Sequence, residues 1–306
     1  MHLLRNRSAA AILWAALMAL VGQASADIVG VEYSESNSRL VRINQGTGVG
    51  NAVGNTGFTR LNSLSSNSFG VLYSAPNAGP SLITIDLSTG AGTSGATINL
   101  GVAPDIRGLA FSPGNVLFAA NNTGPGGLLN PDELYSINTS TGVGTLVGAT
   151  GISGLQSLEF SSVGMLYGWD VDIGLVTINT TTGVASDVNP AIGGTAAIQS
   201  IAFAPDGTLY GACNALFTID VATGATTLVG SGGYSDVRGI EYVAAVPEPS
   251  TLALFVMGFA VLITSLFPRL LSKKALRQAR TAYDDKVMRC QLRATYQSGQ
   301  PSEPRK

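Results

Sequence analysis

Histidine is nearly absent from this 306-residue sequence: His2 is the single one, and it precedes an apolar stretch near the amino terminus. Once that stretch is removed, the chain has no imidazole with which to build a Ser/His or Cys/His nucleophilic pair or a histidine-ligated metal centre. Cysteine is almost as scarce, with Cys213 and Cys290 alone. A long uncharged run separates them, so they fall on opposite sides of a membrane, form no intrachain disulfide, and leave the domain to be held by its own core. Cys213 then reads as a small buried core residue rather than a reactive thiol. Lysine is missing altogether from residues 27–245, where five arginines face fifteen carboxylates for a net charge of −10. That balance gives no electrostatic footprint for nucleic acid and excludes it as a partner. The sign reverses further on: residues 268–306 carry ten cations against three acids, a net +7.

The two ends account for that split. Arg5 and Arg7 precede an apolar run over 9–21, and Ala24-Ser25-Ala26 supplies a small-residue cleavage pattern, so residues 1–26 read as a secretory signal peptide. Pro247, Glu248 and Pro249, within 246–250, form a knuckle that continues neither strand nor helix. Residues 251–267 are 17 residues without a charge, and Leu270 and Leu271 extend the apolar content, which predicts a transmembrane helix over 251–271. Arg269, Lys273, Lys274, Arg277 and Arg280 crowd its far end; they assign residues 272–306 to the cytoplasm as a basic tail and residues 27–245 to the outside. This order of motif, span and cations resembles the PEP-CTERM sorting signal of Gram-negative bacteria that make exopolysaccharide. The resemblance implies an exosortase as processing partner, an inner-membrane-anchored precursor, and delivery of the outer domain to the cell surface or extracellular matrix. Family members usually stop soon after the cations, whereas this sequence runs on to Lys306.

The outer domain is a repeat. A Thr-Gly pair recurs at Gly48, Gly90, Gly142, Gly183 and Gly224, with spacings of 42, 52, 41 and 41 residues. An aromatic marker falls at Tyr33, Tyr73, Phe118, Tyr167 and Tyr210, and an apolar marker opens each unit at Leu64, Leu109, Leu158, Ile201 and Ile240. Within a unit, short alternating segments joined by Asp-Gly and Thr-Gly turns predict four strands, the measure of a propeller blade. The first unit begins at its second strand, and residues 237–243 form an opening strand with nothing after it. Pairing the two completes a blade and closes the ring without a free edge. The expectation is an all-β, five-bladed β-propeller over 27–245, with a β-sandwich of the same strand spacing as the alternative. Elements such as GLAFSP, GTLYG and TIDVATG resemble NHL-like and YVTN-like bacterial propellers, a likeness that implies the fold and no activity.

Chemistry has few places left to reside. Asp170-Val171-Asp172 sets two acids on one side of an extended segment, too few oxygen ligands for Ca²⁺ and expected to be a solvated strand edge. Asp86, Asn138, Asn179 and Asp220 precede Thr-Gly turns and read as turn-forming side chains. Gly124-Pro125-Gly126-Gly127 and the glycines of 151–154 open no helix and are loops, not phosphate cradles. The 52-residue spacing places an insertion around Asn121 to Asp132, projecting from one face of the ring. Trp169 is expected to pack in the core, with stacking on a sugar as the functional alternative. No catalytic, cofactor-binding or metal-ligating residue is assigned. Three readings follow: a non-catalytic exported binding propeller for polysaccharide or a surface protein, a carboxylate-based enzyme on extracellular polysaccharide, and a purely structural envelope protein. The enzyme would require two acids converging on one mouth of the ring.

Overall fold

The computed structural model describes residues 27–243 apart from 78, 123–130 and 196. The segments assigned to signal peptide, sorting motif, membrane helix, basic cluster and tail lie outside the described residues, as does Gly124-Pro125-Gly126-Gly127. Among the described residues no helix is long and apolar enough to cross a membrane.

Twenty strands form five four-stranded antiparallel sheets. Blade 1 runs from its innermost strand outward as β20 (Val237–Val243), β1 (Asp27–Glu32), β2 (Arg39–Ile43) and β3 (Gly50–Asn55). Blade 2 holds β4 (Ser65–Ser66), β5 (Leu72–Ser74), β6 (Ser81–Ile85) and β7 (Gly92–Thr97); blade 3 holds β8 (Ile106–Phe111), β9 (Leu117–Asn121), β10 (Glu133–Ile137) and β11 (Gly144–Ala149). Blade 4 holds β12 (Leu155–Phe160), β13 (Leu166–Asp170), β14 (Gly174–Ile178) and β15 (Ala185–Asp187); blade 5 holds β16 (Ser200–Phe203), β17 (Leu209–Ala212), β18 (Leu216–Ile219) and β19 (Thr226–Gly230). The inner strands β20, β4, β8, β12 and β16 each touch the next around the axis. The predicted closure is present: β20 pairs antiparallel with β1, setting Val243 opposite Asp27 and Val237 opposite Glu32.

The core is divided, which separates this fold from a sandwich. Five apolar clusters occur, each drawn from two neighbouring blades; Leu109 and Leu117 of blade 3 join Leu82 and Ile98 of blade 2, and Ile240 of blade 1 joins Leu216 of blade 5. Aromatic pairs cross the same seams, tilted at Tyr73–Phe111 and Phe118–Phe160 and edge-to-face at Tyr167–Phe203, with centroids 5.2, 5.5 and 5.4 Å apart. Such pairs add about 0.5–1.5 kcal/mol beyond their burial. The register corrects one marker of the repeat. Glu241 opposes Val29, as Ser65 opposes Tyr73 and Glu159 opposes Tyr167, so Val29 and not Tyr33 occupies the aromatic position of blade 1. Tyr33 lies beyond the end of β1, at a surface described below.

The turns expected from Thr-Gly are confirmed in mechanism. Asp86, Asn138, Asn179 and Asp220 each accept backbone N–H bonds from the residues two and three ahead on Oδ1, and Asn44 does the same in blade 1. The following glycine takes the left-handed conformation, as at Gly142 with φ 75°.

Candidate functional site

An inner strand of a ring has a ladder partner on one side only. Its axial edge carries N–H groups that need other acceptors. Here the neighbouring blade supplies them. Ser65 Oγ accepts the Phe111 N–H at 3.0 Å, Ser157 Oγ accepts Ile201 N–H at 3.0 Å, and Ser200 Oγ accepts Ile240 N–H at 2.6 Å. The same register brings two acids to the axis. Glu159 Oε1 accepts the Phe203 N–H at 3.2 Å, and Glu241 Oε1 accepts the Ser66 hydroxyl at 2.6 Å together with the Ser66 N–H. Where no side chain serves, the strands close in: a Cβ on Gly108 would stand 2.6 Å from the Leu158 nitrogen, and one on Gly239 2.6 Å from the Ser63 carbonyl carbon.

Burial raises the carboxyl of Glu159 well above the usual range, and the nearby charge of Glu241 adds to the rise. Burial also raises Glu241, whose Oε2 has no hydrogen-bond partner. The pair therefore holds a proton more firmly than isolated glutamates would. Sequence reading missed both. The signal was present, because each follows the apolar marker of its unit, in SLEF and GIEY, where the other units carry Ser65, Ala110 and Ala202.

Charge gathers where the inner strands begin. Asp132, fully buried, accepts the Leu155 N–H on Oδ2 at 2.9 Å, and burial pushes its carboxyl up to about 7. Beside it, Arg107 donates to Asp105 at 3.0 Å and Asn121 Oδ1 accepts the Asp105 N–H at 2.7 Å. Four atoms of this cluster are buried without partners: Asp132 Oδ1, Asp105 Oδ1, Asn121 Nδ2 and Arg107 Nε. They make two acceptors and two donors. Around the same mouth, Arg238 makes a bidentate pair with Asp236 at 3.0 Å, its guanidinium lies 3.8 Å over the Tyr33 ring, and the Tyr33 hydroxyl donates to Glu35 at 2.8 Å. Arg60 pairs with Glu35 and Arg39 with Glu32. Four of the domain's five arginines thus sit on one face, each held by an acid. The insertion expected around Asn121 to Asp132 is the β9–β10 connection and leaves from this face; residues 123–130 of it lie outside the described residues.

Three sequence expectations take their places. Asp170-Val171-Asp172 is neither a site nor a solvated edge: Asp170 is buried, its Oδ1 accepts the Asp172 and Ile173 N–H groups and its Oδ2 accepts Gly154 N–H, while Asp172 is exposed. The turn at the end of β13 redirects the two side chains, an effect invisible to strand alternation. Trp169 is fully buried, with its Nε1 donating to Thr195 O at 3.2 Å, as core packing required. Cys213 is buried, and burial pushes its thiol up to about 11, the opposite of a reactive cysteine. Among the described residues no group of three or more His, Cys, Asp or Glu is placed to hold a metal ion.

No known protein family matches the sequence, and no curated protein matches it. Solved structures do. A protein of unknown function from Bacteroides thetaiotaomicron matches at 15% identity with a TM-score of 0.52, over 74% of this chain and 65% of that one, so the chain spans less than two thirds of it. A nidogen/laminin complex matches at 14% identity and TM-score 0.47 over 71% of this chain and 82% of that one; a protein of unknown function from Bacteroides caccae gives 14% and 0.41 over 66% and 72%. At such identities the likeness concerns the fold alone.

Proposed function

We propose that this chain is an exported, non-catalytic binding propeller of the bacterial envelope or extracellular matrix, sorted by an exosortase through Pro247, Glu248 and Pro249. Its ligand, a polysaccharide or a surface protein, is taken at the charged face around Arg107, Asp132 and Arg238. The observation supporting this reading is the use made of the axial acids. Glu159 and Glu241 converge as an enzyme would require, yet each accepts bonds from the inner strand of the following blade and so serves ring closure. The face places paired arginines and acids beside the Tyr33 ring, a combination of polar groups and an aromatic surface that suits hydroxyl-rich ligands.

A glycan and surface-protein binding screen of the purified 27–243 domain tests this. Binding should appear and fall about tenfold or more in Arg107→Ala or Arg238→Ala; retention of full binding by both variants overturns the assignment of the face. The second reading, a carboxylate enzyme on polysaccharide, is favoured by the raised values of the axial pair. Polysaccharide cleavage abolished by Glu159→Gln or Glu241→Gln would establish it in place of the first. Sorting is tested by the mass of the protein from its native host. Loss of 251–306 in the parent, and its retention in a triple Pro247→Ala, Glu248→Ala, Pro249→Ala variant, is the expected pair of results.

A further inference from the structure

The face opposite the charged mouth, where inner strands end and turn back, has a different surface. Its turns run 67–71, 112–116 and 161–165 in blades 2, 3 and 4, and they contain no charged residue. They expose Phe69 (82%) and Val163 (90%), with Val71, Val116 and Met165 beside them. The three turns form one arc: the Ser68 N–H donates to Asn115 Oδ1 at 3.0 Å, and a Cβ on Gly164 would stand 3.8 Å from Pro113 Cγ. In blade 1 the corresponding place is occupied by the paired ends Asp27 and Val243. The chain therefore leaves the ring on this face, and the uncharged run of 251–267 begins eight residues later.

We propose that this arc rests on the surface of a lipid bilayer, with Phe69, Val163 and Met165 entering the interface. The inference builds on the reading of 251–271 as a membrane anchor. Eight extended residues reach at most about 25–30 Å, so an anchored ring keeps its exit face against the bilayer. Exposed apolar side chains on the uncharged arc of blades 2 to 4 gain by entering an interface, while the acid of this face's inner turns, Asp206 in the blade 5 turn, lies off the arc and leaves that side of the ring the less favoured one against anionic headgroups. The charged mouth then points away from the lipid, where a ligand can reach it.

The test uses the full chain in nanodiscs of phosphatidylcholine and phosphatidylglycerol containing brominated acyl chains, in a Trp14→Phe background. Phe69→Trp and Val163→Trp are compared with Val102→Trp, an exposed position between β7 and β8 on the mouth side. The buried Trp169 supplies a constant background. Emission from positions 69 and 163 should fall by about half while that from 102 is unchanged. Equal quenching at all three, or none at 69 and 163 in discs that hold the chain, overturns the docking and leaves the anchor standing. A chain that fails to enter the discs overturns the anchor and the docking with it. Protection of 69 and 163 that appears equally without lipid and rises with protein concentration would assign the arc to a second copy instead.

Discussion

The two faces of this ring are built from the same strands and differ in what their connections must do. On the mouth side the connections carry Glu32, Glu35, Asp105, Asp132, Asp170 and Asp236 together with Arg39, Arg60, Arg107 and Arg238, and several of these groups are buried and bonded to neighbouring blades. The inner turns of the other side are short, uncharged in blades 2 to 4, and bonded within themselves, as Asn67 is to the Phe69 and Val71 N–H groups. Burial of ionisable groups is thus concentrated at the mouth, whereas the inner turns of blades 2 to 4 carry no group that ionises. A protein divided in this way can vary its exposed turn residues without loosening the ring.

The comparison has a shared foundation, and removing it should have the largest effect. Deleting residues 237–243 takes Arg238, the ion-pair partner of Asp236, from one face and the chain exit from the other, and leaves β1 as an open edge; cooperative thermal unfolding should vanish, a loss of the whole ~5–15 kcal/mol of a domain. Unfolding at the parental temperature would mean that closure by β20 is dispensable. Next comes the axis, common to both faces. Gly239→Ala brings a methyl group against the Ser63 and Leu64 backbone and should cost about 1–3 kcal/mol by denaturant titration.

Between pH 4 and 8 the mouth and the axis should respond, and the inner turns of blades 2 to 4 should not. Asp132 has a raised value in the folded protein, so its protonated form favours folding; that contribution is complete below the ordinary value of 3.8 and is lost as pH rises to about 7. The axial glutamates are raised as well and act in the same direction. Stability measured from pH 4 to 8 should therefore decline. Asp132→Asn keeps an acceptor for Leu155 N–H and should flatten the decline, gaining about 1–3 kcal/mol at pH 8. A parallel profile for the variant would remove Asp132 as the source. The smallest effect belongs to the opposite side, where Phe69→Ser should change stability by no more than about 0.5 kcal/mol. A larger loss would show that the arc is packed and that the contrast between the faces is weaker than drawn.

Much of the architecture was legible because the repeat is written in residues whose conformations are narrow. The recurring Thr-Gly turns and the apolar openers marked blade number, blade boundaries and the shared first blade. Registration within a blade was legible only where an aromatic marked it, and Tyr33 misled because Val29 fills that position in blade 1. The site was hidden for a different reason. Glu159 and Glu241 lie 82 residues apart in sequence and are brought together by the ring, whose seams pair each opener with the following unit. Spacing within one unit carries no record of that. Asp170 was misjudged in the opposite sense, since strand alternation gave it a solvated face and a turn swung it inward to cap the Gly154 N–H.

Closure by β20 also sets an order in time. Blades 2 to 5 each pair strands that are consecutive in sequence, so they can form as the chain emerges; blade 1 waits for the last strand of the domain. For a chain exported amino end first, β1 arrives early and remains without its inner partner until residue 243 has crossed. The strand that completes the ring is followed within four residues by Pro247-Glu248-Pro249. On the proposed sorting reading, completion of the fold and arrival of that motif at the membrane would be a single event, and a processing enzyme would meet a domain that has just finished folding.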